Sequence, residues 1–164
     1  MIAEGRKAQP KMALYLWLAA ITGARRGELC GLQACDIDLK SGILHLAFNY
    51  LVKNGQRVRK ETKTHQDRYL AIDPVTCAMI REHLDAIRAS LADFGLELPE
   101  DAYVFSNDPN GASPWNPDWA THKAGELAAA ADVKLNIKGL RPYTASQLIA
   151  ARFDLLIGFG QIAD

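Results

Sequence analysis

The chain reads as an α+β domain, mainly α-helical, with a small antiparallel β-sheet. Three observations point there. Apolar residues recur at helical spacing before residue 40 and again after residue 73, while residues 42–73 alternate apolar and polar side chains as half-buried strands do. With 49% hydrophobic residues in 164, the chain can bury a core without disulfide or metal support, and residues 1–164 are expected to form a single domain.

Each element follows in order. After Pro10, "KMALYLWLAAIT" is apolar on all sides, as a buried helix is, and Gly23 can end it in the left-handed conformation without steric cost. Glu28, Leu29, Leu32 and Ile37 continue a second short helix into the turn-prone "DID". From Gly42, "GILHLAFNYLV" leads to the turn signal Asn54-Gly55, and "QRVRKETKTHQDRYLAID" returns, giving an antiparallel sheet of two or three strands. Pro74 suits the first turn of a helix reaching about Phe94, with Val75, Ala78, Met79, Leu84, Ile87 and Leu91 near helical spacing. "DAYVFSNDPNGASPWNPD" is a loop, and "WATHKAGELAAAADV" and "TASQLIAARFDLL" are helix formers.

Bulk charge identifies no partner, because Lys+Arg and Asp+Glu balance at 19 each. Cys30, Cys35 and Cys77 are odd in number and lack Cys-x-x-Cys spacing, so they read as reduced and mostly packed, with neither a disulfide framework nor a zinc site. There is no signal-peptide pattern and no apolar run of roughly 18 residues, so the chain is expected to be cytoplasmic, with no membrane partner.

Local charge is more informative. In "ITGARRGELCGLQACDIDL" an arginine follows a buried helix, and desolvating it is costly unless an anion meets it. Glu28, three residues after Arg25, can fix that guanidinium from behind. The plainer reading is a surface arginine at a helix end. Between Lys53 and Arg68, six cations (Lys53, Arg57, Arg59, Lys60, Lys63, Arg68) stand against Glu61 and Asp67, a net +4 in a neutral chain. A basic hairpin can lie along a phosphate backbone, although edge-strand cations also serve to prevent aggregation. Arg141 stands just before the apolar helix pattern of "TASQLIAARFDLL", so two arginines and a lysine from distant segments can converge on one phosphate without a metal.

These residues carry a resemblance. "TGARRGEL" followed by L-x-x-x-D-I, then "TKTHQDRYLAID", "YVFS" and "GLRPYTASQLIAA" resemble, in order and spacing, the catalytic domain of tyrosine recombinases of the phage-integrase type, from about Ala13 to Leu155. The resemblance implies a helical catalytic domain with a small antiparallel sheet, acting on double-stranded DNA by breaking and rejoining it, with no cofactor and no metal. It implies Arg25 and Arg141 as phosphate ligands, Glu28 as the support of Arg25, and Lys63 as the group acting on the leaving 5′ oxygen. Lys138 stands where the family has a histidine, and cannot replace its near-neutral acid–base chemistry. Lys53, Arg57, Arg59, Lys60, His65 and Arg68 are then the expected DNA-contacting set. A second copy or a full-length recombinase is the candidate protein partner.

The sequence departs from the family after Leu155, where "LIGFGQIAD" stands in place of a G-H block and a tyrosine-bearing helix. None of Tyr15, Tyr50, Tyr69, Tyr103 or Tyr143 maps onto that nucleophile, so the chain is expected to be an incomplete catalytic domain, inactive in strand transfer, or a non-enzymatic DNA-binding remnant. "GFGQIA" imitates a dinucleotide fingerprint without a following helix. His45, His65, His83 and His122 share no metal-ligand spacing, and Ser113 has no nucleophile-elbow context.

Overall fold

A computed structural model of the chain describes residues 10–53, 56–61 and 68–130. Its contacts divide the chain into two compact units, Met1–Ala24 with His122–Asp164, and Arg25–Thr121.

In the first unit, helix α1 (Pro10–Thr22) buries Met12, Leu14, Tyr15, Leu16, Leu18, Ala19 and Ala20, as an all-round apolar helix must. Each large side chain among them contributes about 1.5–3 kcal/mol by leaving water. Gly23 ends the helix with φ 59°, and its N–H donates to the Ala19 carbonyl at 3.1 Å. Trp17 is half-buried.

The second unit opens with a short helix, α2 (Arg26–Cys30), and a 3-10 turn, Ala34–Asp36. The expected continuous helix to Ile37 does not form. Gly31 closes α2, and Ile37 belongs instead to β1 (Ile37–Asp38). Strands β2 (Ile43–Leu46), β3 (Phe48–Lys53), β4 (Gln56–Glu61) and β5 (Arg68–Ala71) follow.

They make two sheets where one was expected. The first has the order β1-β2-β5 and the second pairs β3 with β4, all antiparallel. The split falls at Ala47. Leu44 and Leu46 are buried on one face of β2, and Ala47 is buried as well. The β2–β5 ladder ends with Leu46 opposite Arg68, and Ala47 lies beyond it. The chain then starts a hairpin whose register runs from Phe48↔Glu61 to Lys53↔Gln56.

Helix α3 (Pro74–Ala92) begins at Asp73, whose carboxylate accepts from the Thr76 backbone N–H at 3.0 Å and from the Thr76 hydroxyl at 2.6 Å, with Pro74 in the first turn. That cap draws Thr76 inward and sets the rotational phase. The buried face is Thr76, Cys77, Ile80, Leu84 and Leu91, while the expected Val75 is 63% exposed, about 100° away around the helix. The loop after it has no helix of its own yet is fixed by Phe105, fully buried, and Trp115, whose indole N–H donates to Asn107 Oδ1 at 2.7 Å. The isolated bridge Gln33↔Tyr103 ties this loop to the segment after α2. Helix α4 (Pro117–Ala130) closes the described chain.

Cys30 and Cys77 are packed as expected, but Cys35 is exposed. Its partial burial, with Asp36, Asp101 and Glu100 nearby, pushes its thiol up, which disfavours the nucleophilic thiolate. Among the described residues, no helix is long and apolar enough to cross a membrane, and no cluster of His, Cys, Asp and Glu could hold a metal.

The two Thr76 bonds hold the Asp73 carboxyl below the usual aspartate range. A depressed carboxylate contributes stability that is present above about pH 3.9 and lost as pH falls through the folded-state value. Asp73→Ala should lower stability by about 1 kcal/mol in urea unfolding at neutral pH. The difference from the parent should shrink once pH drops below that value.

Candidate functional site

The site is built around a buried carboxylate. The Glu28 side chain is 1% exposed, three residues into α2, and both of its oxygens are occupied. Oε2 accepts from the Arg25 backbone N–H at 2.8 Å, closing the helix N-terminus, and Oε1 accepts from Arg25 Nη1 at 3.1 Å. Arg68 Nη2, from the start of β5, also donates to Oε2. A carboxylate withdrawn from water loses several kcal/mol of hydration and persists as an anion only with such partners.

The expectation for Arg25 is reversed in one respect. The arginine is not the desolvated member of the pair, since its side chain is 71% exposed. Glu28 bears the burial and Arg25 faces solvent. Two guanidiniums against one carboxylate leave the cluster with a formal charge of +1. The adjacent Arg26 is engaged elsewhere, pairing with Asp118 at 2.8 Å and donating to the Thr121 hydroxyl at 3.2 Å. So the two neighbouring arginines divide: Arg26 fastens α2 to the start of α4, and Arg25 remains available on the surface.

The hairpin is packed against the same helix. A Cβ on Gly27 would overlap Asn49 Oδ1 and the Tyr50 carbonyl, and one on Gly31 would stand 3.0 Å from the Tyr50 ring. Only a residue without a side chain allows α2 and β3 to approach this closely. The Tyr50 and Tyr103 hydroxyls share a hydrogen bond of 2.6 Å, their rings meeting edge to face, which also fixes the hairpin to the loop after α3.

Of the expected DNA-contacting residues, Lys53 lies on β3 and Arg57, Arg59 and Lys60 on β4, with the backbone pairs Lys53↔Gln56, Val52↔Arg57, Tyr50↔Arg59 and Asn49↔Lys60. Arg59 is therefore opposite the strand residue that touches α2. Arg68 is not part of this hairpin. It belongs to the other sheet, pairs with Leu46, and is tied to Glu28. Lys63, His65, Lys138 and Arg141 lie outside the described residues, as do the Asn54-Gly55 turn, Tyr143, "TASQLIAARFDLL" and "GFGQIA".

Sequence reasoning missed the Arg68–Glu28 and Arg26–Asp118 pairs. A signal for the first was present. In β5, Tyr69 and Ala71 are exposed while Arg68 and Leu70 share the more buried phase, and a cation in phase with a half-buried leucine is the one to look for an anion.

The described residues form a helix-rich α+β fold in which a buried carboxylate holds an exposed arginine, and comparison with known proteins supplies the family. The phage integrase family matches residues 2–157, and the chain belongs to that family. This bears out the resemblance. Among solved structures, XerA recombinase is similar with a TM-score of 0.60 at 18% identity, covering 98% of this chain and 53% of its own. The Tn1549 transposon integrase in complex with transposon right end DNA gives 0.54 at 18% identity, covering 92% of this chain and 51% of its own. At such identity the likeness shows the fold. The chain spans about half the length of these structures. Comparison with curated proteins returned no match.

Gly27→Ala should force α2 and β3 apart, lowering stability by about 1–3 kcal/mol, the cost of overpacking a close contact. Urea unfolding of the variant checks this, and an unchanged midpoint would show that the helix and hairpin are not in contact there.

Proposed function

We propose that this chain acts in site-specific DNA recombination, binding duplex DNA and holding a backbone phosphate with Arg25. The observation that supports it is the disposition of charge at Glu28. A buried carboxylate fixes a guanidinium that is itself open to solvent, and the cluster retains a surplus positive charge that a phosphate oxygen would balance. A guanidinium fork matches two nonbridging oxygens, and one already held by a carboxylate loses little rotational freedom on binding.

In the reaction of the family, the charge to be stabilised is on a pentacoordinate phosphorus. Arg25 would neutralise part of it, and the family resemblance assigns Arg141 a like role, Lys63 the proton for the leaving 5′ oxygen, and Lys138 a positive charge where a histidine normally acts. The proposal covers DNA binding and phosphate holding. The cation-rich β3–β4 hairpin favours a second reading, in which the hairpin alone binds the DNA backbone and the arginine pocket is not used.

Duplex-DNA binding by fluorescence anisotropy across a salt series separates the two. Arg25→Ala should weaken binding by about 1.5–3 kcal/mol, the worth of a charged hydrogen bond, and make the slope of log K against log salt shallower by about 0.9 for the lost phosphate. If folded Arg25→Ala binds like the parent while Arg57→Ala or Arg59→Ala does not, the hairpin reading stands instead. No binding at low salt would overturn both.

A further inference from the structure

We infer that Arg68 is a positioning residue for Arg25, acting on the bound phosphate through Glu28 and not by touching DNA. The inference rests on the proposed role of Arg25 as phosphate ligand.

Three observations carry it. First, the Glu28 carboxylate is shared by donors from two separate parts of the second unit: the Arg25 guanidinium and backbone N–H at the start of α2, and Arg68 on β5, 40 residues later in the chain. Second, the two arginines differ in exposure. Arg25 is 71% exposed and its attraction for Glu28 is partly screened by water, whereas Arg68 is 41% exposed and approaches from the side of the three-stranded sheet. A carboxylate only 1% exposed needs protein donors in place of water, and Arg68 adds a second charged donor to Oε2. Third, Arg68 is anchored by the strand pairing Leu46↔Arg68, in phase with Leu70, while the neighbouring Tyr69 is exposed on the opposite face. The sheet thus holds Arg68, Arg68 holds Glu28, and Glu28 sets the direction of the Arg25 guanidinium.

This assignment separates Arg68 from the hairpin cations with which its position in the sequence groups it. A hairpin cation contributes to DNA binding independently of Arg25. Arg68 should contribute only while Arg25 is present.

A double-mutant cycle tests this, read by duplex-DNA anisotropy at one salt concentration, with the 15N-resolved side-chain guanidinium signals of Arg25 followed in the DNA-free protein. Arg68→Ala should weaken binding by roughly fivefold or more in the parent, and by less than about twofold in the Arg25→Ala background, because coupled residues of one network are not additive. The Arg25 signals, resolved in the parent by restricted rotation, should collapse in Arg68→Ala. An equal loss in both backgrounds with unchanged Arg25 signals would make Arg68 a direct DNA contact. No loss with unchanged signals would make it a structural ion pair. Either result overturns the inference.

If Arg68→Ala does not fold, Arg68→Lys takes its place, keeping a charge beside Glu28 without the planar fork. It should weaken binding by roughly threefold in the parent and not in the Arg25→Ala background, whereas a lysine replacing a direct phosphate contact would cost little in either. If the parent binds no DNA, the phosphate reading of Arg25 fails separately, and the Arg25 signals still decide whether Arg68 positions it.

Discussion

The site depends on one buried carboxylate. Glu28 closes the N-terminus of α2 through the Arg25 backbone, holds the Arg25 guanidinium, and receives Arg68 from the sheet. Each bond answers the same physical demand, that an anion withdrawn from water must recover its lost hydration from protein donors. Meeting that demand takes donors from two elements, and it orders both. An exposed arginine on a flexible side chain becomes one held at a defined place on the surface.

The backbone around Glu28 serves the same end. Gly27 lets β3 approach α2 to within contact of the Tyr50 carbonyl, which places the base of the cation-rich hairpin beside the helix that carries Arg25. The break at Ala47 makes this possible. Beyond Leu46 the chain leaves the first sheet, with Leu46 and Ala47 both buried at the break. Dividing the strands between two sheets lets the hairpin pack on α2. The Tyr50–Tyr103 hydroxyl pair also fixes it to the loop that carries Phe105 and Trp115. The loop itself is held by backbone bonds such as Val104 N–H to the Leu32 carbonyl at 3.0 Å.

Membership of the phage integrase family agrees with this arrangement, and the likeness to XerA recombinase extends over nearly all of this chain. The shared property is the fold, since 18% identity leaves few side chains in common. Within this chain Glu28 is the shared acceptor of Arg25 and Arg68, and Arg26 is spent on Asp118. These pairs show how adjacent arginines of the same charge and length come to do different work, because each has a different carboxylate within reach.

Much of this was legible in the linear order of residues, and the reasons for what was not are local. The all-round apolar run from Lys11 to Thr22 reads as a buried helix, Gly23 as its end, and Pro74 as the first turn of another, because these features depend on neighbours within one or two turns. The Arg25–Glu28 pair was legible for the same reason, being three residues apart on one helix end. The phase of α3 was misread because Val75 is apolar while Thr76 is polar, and hydropathy does not register that the Asp73 cap satisfies the threonine and lets it be buried. The two-sheet division, the approach of Gly27 to Tyr50, and the convergence of Arg68 on Glu28 depend on contacts between segments up to 40 residues apart. No periodicity encodes such a distance. Chain order supplies charges and helix ends, and which cation meets the buried carboxylate is settled when the sheet and the helix pack and exclude water from between them.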